Sequence, residues 1–177
     1  MNDRSAHSPL PVVEVVRATV EDEPVLANLL ELYAHDFSEL IDLTLGPNGR
    51  FGYPRLALYW REEDRRFAFL LRADDQLAGF ALVTRGSEIS GDPDVWDMSE
   101  FFVARGLRKR GIGAAAAHEV WRRFPGRWEI RVMEKNLAAR AFWAAAVAGF
   151  IHAPAVAFFA ETEDQRWEVF SFRSGSE

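Results

Sequence analysis

Residues 94–133 carry the strongest constraint on how this chain can fold. "DVWDMSEFFVA" (94–104) reads as a strand, "RGLRKR" as a basic loop, "GIGAAAAHEVWRRF" as a helix with Ile112, Ala116, Val120 and Phe124 on one stripe, and "WEIRVM" (128–133) as a second strand. A strand, a helix and a strand in succession imply one parallel crossover inside a sheet. The loop within it implies something further. A helix start leaves backbone N–H groups unpaired and adds partial positive charge, so a basic loop opening into a helix is suited to an anion. Gly111 and Gly113 are poor helix starters unless the backbone takes unusual angles or lets something approach closely.

The rest of the chain arranges itself around that passage. "VVEVVRA" (12–18) is a β-rich run, and "TVEDEPVLANLLELYAHDF" places Leu26, Leu29, Leu30, Tyr33 and Phe37 at helical spacing, with Thr19 or Asp22 as cap and Pro24 in the first turn. Glycine and proline punctuate 45–54, a second short helix is expected in "RLALYWREED", and two apolar runs flank "ADDQ" as a hairpin. "LAARAFWAAAVA" (137–148) reads as a helix, and "VAFFAE" with "WEVFSF" as closing strands. The order β α α β β β α β α β β predicts an α/β (α+β) mixed sheet with helices on its faces. No repeat or linker divides it. Residues 1–11, with Ser8, Pro9 and Pro11, are expected to be a flexible arm, and 12–177 a single domain.

Composition removes several function classes. The absence of cysteine excludes disulfides and a cysteine nucleophile and fits a reducing compartment, and no apolar run approaches a membrane span. A soluble cytoplasmic protein is expected. The net charge of -6 argues against nucleic acid as the main partner and is compatible with a cationic small molecule. His7, His35, His118 and His152 show no ligand spacing, so no metal is implied.

Which anion the loop holds can be narrowed by spacing. "GIGAAA" satisfies GxGxxA, and Glu134 lies 21 residues past Gly113, as in a dinucleotide site. Seven residues nevertheless separate Val103 from Gly111, and the chain supplies one crossover where a doubly wound sheet needs several. No Lys followed by Ser or Thr trails the glycines, so a P-loop fails too.

"FFVARGLRKRGIG" instead resembles the acetyl-coenzyme A site of the GNAT acetyltransferase superfamily: a strand ending in an aromatic and Val, a short loop, then Arg/Gln-x-x-Gly-x-Gly/Ala opening a helix, here on Val103, Arg108, Gly111 and Gly113. "NLAARAFW" resembles the superfamily's Asn-x-x-Ala-x-x-Phe-aromatic, on Asn136, Ala139, Phe142 and Trp143. The resemblance spans about 160 residues in element order.

It implies a twisted, mostly antiparallel sheet with one splayed parallel pair. It also implies a coenzyme A pyrophosphate on the backbone of Lys109, Arg110, Gly111, Ile112, Gly113 and Ala114, aided by the side chains of Arg108, Lys109 and Arg110. A pantetheine arm would run along Phe101, Phe102 and Val103, near Phe142 and Trp143, with Asn136 opposite unless that Asn serves as a helix cap.

By the same resemblance the activity is direct acetyl transfer from acetyl-coenzyme A to an amine, with a small or medium cationic acceptor. Glu100 is the preferred base and Asp97 the alternative; strand alternation puts them on opposite faces unless a bulge intervenes. Trp143 stands where relatives often carry a Tyr that protonates the departing sulfur, and an indole N–H is not a usable acid near neutral pH. Either Tyr33, Tyr53 or Tyr59 serves, or the thiolate leaves unassisted. An acyl-coenzyme A binding or sensing protein without catalysis is the first alternative, and a dinucleotide-binding module using "GIGAAA" the second. Tyr33, Asp36, Phe37, Tyr53, Tyr59 and Trp60 are candidates for the acceptor pocket, against the ordinary role of aromatics as core. The stretch to Gly149 and Phe150 is two residues longer than usual in the superfamily, so the helix end there is expected to be reshaped. A homodimer is compatible with the sequence.

Overall fold

A computed structural model describes residues 10–162 and 165–175; residues 1–9, most of the expected N-terminal arm, lie outside that range. The elements are β1 (Val13–Arg17), α1 (Glu23–Phe37), α2 (Leu58–Arg61), β2 (Arg66–Ala73), β3 (Gln76–Arg85), β4 (Trp96–Val103), α3 (Ile112–Arg123), β5 (Gly126–Met133), α4 (Leu137–Ile151), β6 (Ala157–Thr162) and β7 (Gln165–Ser174). They form one seven-stranded sheet in the order β1-β2-β3-β4-β5-β7-β6, and β4–β5 is its parallel pair.

Local chemistry sets each boundary. A single 3-10 turn, Val20–Asp22, precedes α1; Thr19 and Asp22 close it as a capping box, and Pro24 sits in the first turn of α1, where its missing N–H costs nothing. The β2–β3 hairpin turns on Asp74 and Asp75, both left-handed at φ 48° and 64°, the paired positive angles of a type I′ turn that matches strand twist. The second helix is shorter than its apolar pattern suggested, one turn at Leu58–Arg61. By contrast, α4 runs past 148 to Ile151 and stops on His152 in the left-handed conformation. α4 meets α3 through His118, whose Nε2 pairs with the Ala146 carbonyl at 2.8 Å. His118 therefore ties two helices together.

The two faces of the sheet carry separate cores. α3 and α4 cover one with Ile112, Ala116, Val120, Trp121 and Val147 over Trp128, Ile130, Met98 and Phe172. α1 covers the other with Leu26, Leu29 and Leu30 against Leu70, Phe80, Leu82 and Phe102.

Two irregularities in β4 shape everything that follows. Leu82 pairs with Glu100 while Val83 pairs with Met98, so Ser99 is an extra residue, a β-bulge. In addition, β4 meets β5 only at Trp96↔Trp128 and Asp97↔Glu129, and beyond these the two strands part. The expected splay is present.

Candidate active site

The bulge corrects the expectation that Asp97 and Glu100 lie on opposite faces. The extra residue shifts alternation by one, so Met98, Phe101 and Val103 turn to the α3/α4 core while Asp97, Glu100 and Phe102 turn to the α1 side. Both carboxylates therefore stand on one face, beside the point where β4 and β5 part.

Glu100 is partly buried at the base of a cavity of about 300 Å³ bounded by α1, the 41–53 segment, and the β4, β5 and β7 strands. Two phenols hold it. Tyr33 donates to Oε2 at 2.5 Å and Tyr53 to Oε1 at 3.0 Å. Burial pushes the Glu100 carboxyl above its ordinary range, and the two hydrogen bonds and the positive charge of Arg131 only partly pull it back. The Tyr33 hydroxyl is held well above its usual value, by burial first and then by the neighbouring Glu100 charge, and Tyr53 is raised for the same reasons.

Asp97 is deeper, with 2 % of its surface exposed, and burial pushes its carboxyl up to about 6. Arg131 of β5 donates to Asp97 Oδ2 at 3.3 Å, while Oδ1 is buried with no hydrogen-bond partner among the described residues. The other side of the Arg131 guanidinium meets Glu88 at 3.1 Å. Arg131, Glu88, Met133 and Trp167 escaped sequence reasoning, as did the cavity residues of the 41–53 wall other than Tyr53. That wall is held by Glu31 of α1, whose carboxylate accepts from the N–H of Phe51 at 2.8 Å and of Gly52 at 2.9 Å. A Glu in the middle of a helix gives no sign in the sequence that it will cap a loop.

Of the expected pocket aromatics, Tyr33, Phe37 and Tyr53 line the cavity and Trp60 does not. Trp60 packs against the α1-side core instead, as does Tyr59, which is 1 % exposed and whose hydroxyl is pushed up to about 12 by burial.

At the end of β4 the chain passes through a 3-10 turn (Arg105–Leu107) into the basic loop. Lys109 (φ 60°) and Gly111 (φ 80°) are both left-handed, which turns successive backbone groups sharply before α3 begins. Among the described residues, no protein acceptor takes the N–H groups of 109–114, and Lys109 and Arg110 are exposed without a carboxylate partner. Arg108 differs from them. Its Nε donates to the Val103 carbonyl at 2.7 Å and its Nη2 to Asp36 at 2.5 Å, so it braces the loop against β4 and α1; Arg105 joins it on Asp36 at 2.8 Å.

Gly113 is small for a visible reason. A Cβ there would lie 3.1 Å from the Phe142 ring, which itself stacks on Phe101 at 6.0 Å between centroids. Trp143 is enclosed between Phe101, Phe142 and Trp121. Asn136 Oδ1 accepts from Ala139 N at 3.1 Å and so caps α4, the helix-cap alternative raised by its position.

The sheet parts at its parallel pair, with backbone N–H groups in the loop before α3 that are unpaired among the described residues and a carboxylate facing a cavity beside α1. Residues 26–150 match the acetyltransferase (GNAT) family, and the chain belongs to it. An acetyltransferase from Thermus thermophilus shares 16 % identity at a TM-score of 0.64, covering 93 % of this chain and 98 % of that one. The structure of yncA from Salmonella typhimurium, which holds its cofactor acetyl-CoA, shares 10 % identity at a TM-score of 0.61, covering 93 % and 95 %. The GNAT domain of S. lividans PAT shares 14 % at 0.61, covering 91 % and 90 %. No curated protein sequence matches the chain. Among the described residues no helix is long and apolar enough to cross a membrane, and no cluster of His, Asp or Glu could hold a metal ion.

Proposed function

We propose that this protein is an N-acetyltransferase that moves acetyl from acetyl-coenzyme A directly to an amine, with Glu100 as the general base. The observation that carries the reading is Glu100 itself: a carboxylate raised by burial, aimed by two phenols, and opening into a cavity where β4 and β5 part. A base poised closer to neutrality is what amine deprotonation needs.

The residues present fit the cosubstrate. The pyrophosphate is assigned to the N–H groups of 109–114 with Lys109 and Arg110, while Arg108 acts as a brace for that loop. The inner edge of β4, open after Asp97, is assigned to the pantetheine amides along Phe101 to Val103. Acetyl-coenzyme A supplies the electrophilic thioester carbonyl.

The acceptor arrives as an ammonium and must lose a proton before it can attack. Glu100 takes that proton, directly or through a water. A C–N bond then forms as the C–S bond breaks; the nitrogen sheds a second proton, the thiolate takes up one, and one leaves to solvent. Tyr33 and Tyr53 direct their hydroxyl hydrogens at Glu100 and are held far from acidic values, so they orient the base and do not protonate the thiolate. Trp143, packed within the aromatic core, supplies no acid either.

Turnover against an amine panel, with acetyl-coenzyme A binding followed by melting temperature, tests this. Glu100→Gln should lower turnover by about 10²- to 10⁴-fold and leave the melting shift intact, while Gly111→Asp should remove the shift. Full turnover in Glu100→Gln with an unchanged acidic limb would overturn the assignment of the base. Binding without turnover on any amine would favour the non-catalytic alternative.

A further inference from the structure

The walls of the cavity say more about the acceptor than its base does. Leu30, Phe37, Ile41, Leu43, Phe51 and Met133 present carbon, and Trp167 closes one side. The polar side chains that reach the cavity are almost all committed elsewhere. Tyr33 and Tyr53 spend their hydroxyls on Glu100. Ser99 pairs with Thr84 at 2.8 Å, and Arg131 is occupied by Asp97 and Glu88. Thr44 sits exposed at the rim. Among the described residues, Glu100 is left as the charged group facing in without a counter-ion of its own.

We infer that the acceptor is a primary amine carried on an apolar body, with one positive charge and no carboxylate or hydroxyl-rich frame; this rests on the proposed amine acetylation. Each excluded class fails for a physical reason. A second ammonium would enter a carbon-lined space with no second carboxylate, and a buried unpaired charge is strongly penalised. A carboxylate, as in an amino acid, would find Arg131 already neutralised by Glu88 and Asp97 and would share the cavity with the Glu100 carboxylate. A polyol would lose its water partners and gain none. An alkyl or aryl body gains with every carbon buried, and the cavity lies at the small end of the ~300–1,000 Å³ range of ligand sites.

Calorimetric binding of straight-chain amines from ethylamine to hexylamine, with 1,5-diaminopentane and 5-aminopentan-1-ol as matched controls, tests the inference. Affinity should rise about fourfold per methylene until the chain fills the cavity, the equivalent of about 0.8 kcal/mol each. Pentylamine should bind at least about tenfold more tightly than either control. A flat series, or a control that binds as well as pentylamine, overturns the inference. Acetylation measured on the same amines separates the two readings. Turnover with a flat affinity series leaves the N-acetyltransferase standing and removes the apolar acceptor; a steep series without acetylation supports the apolar-amine site and removes the catalytic reading.

Discussion

Replacing Tyr33 by Phe should move the acidic limb of kcat/KM upward by about 1 to 2 pH units. The phenol donates to Glu100 Oε2 at 2.5 Å, and a hydrogen bond to a charged group is worth about 1.5–3 kcal/mol. That bond favours the ionised carboxylate, so losing it raises the carboxyl further, by one pH unit for each ~1.36 kcal/mol. The direction follows from the sign: Glu100 must be deprotonated to act, so a higher value demands a higher pH. The charged and titratable groups around it remain in place: Tyr53 from the 41–53 segment, Arg131 from β5, Asp97 from β4 and Glu88 beyond it. The ring also remains. Its edge-on contacts with Phe80 at 5.8 Å and Phe102 at 6.2 Å need no hydroxyl, so α1 should stay seated. The assay is kcat/KM against pH under saturating acetyl-coenzyme A, with Tyr53→Phe as the partner variant and the double variant expected to shift further. Plateau turnover should survive in each single variant, because the remaining phenol still aims the base. A limb that stays put or moves down would refute the reasoning, since it would mean the phenol does not stabilise the carboxylate on which turnover depends.

Asp97→Asn should flatten a slope in stability against pH. With its carboxyl raised from 3.8 to about 6, Asp97 holds a proton in the folded chain that the unfolded chain has released, so its contribution is fully present below 3.8 and lost as pH climbs through about 6. The loss amounts to about 3 kcal/mol, and denaturant midpoints at several pH values in both proteins would show it; an equal slope in Asp97→Asn would refute it. Gly79→Ala should both destabilise the fold and weaken acetyl-coenzyme A binding. A Cβ there would fall 1.9 Å from the Phe102 carbonyl oxygen, which only displacement of β4 could relieve. A cost of about 1–3 kcal/mol is expected in denaturant unfolding, and wild-type stability would show that the contact is not tight.

Much of the architecture could be read from the chain because it is written in local patterns. Pro24 after the Thr19–Asp22 box marks the start of α1, Asp74–Asp75 mark a hairpin, and the apolar stripe from Ile112 marks α3. Glu100 was singled out through the resemblance, by its place ahead of Phe101 and Phe102, and the structure sets it in the cavity lining. The side on which Asp97 stands was not, because a bulge is a property of two strands together: only the pairing of Leu82 and Val83 with β4 reveals Ser99 as extra. Trp60 was a pocket candidate because the resemblance builds the acceptor pocket from the first two helices and the loop between them, yet one helical turn packs it against the α1-side core. Arg131, Met133 and Trp167 reach the cavity from strands that arrive far later in the chain, so no window of sequence joins them to Glu100.

The parting of β4 from β5 amounts to an edge strand placed in the middle of a sheet. Outer edges invite stray strands and have to be defended by charge, brevity or cover. This inner edge is defended by its position. α1 packs on one face of the sheet and α3 with α4 on the other, so the open edge lies between packed helices, a setting suited to a thin flexible molecule with amide groups of its own. Whatever pairs there completes a sheet that the polypeptide leaves unfinished. Because that surface exists only in the folded state, its occupant should register first as heat resistance, before any chemistry is measured.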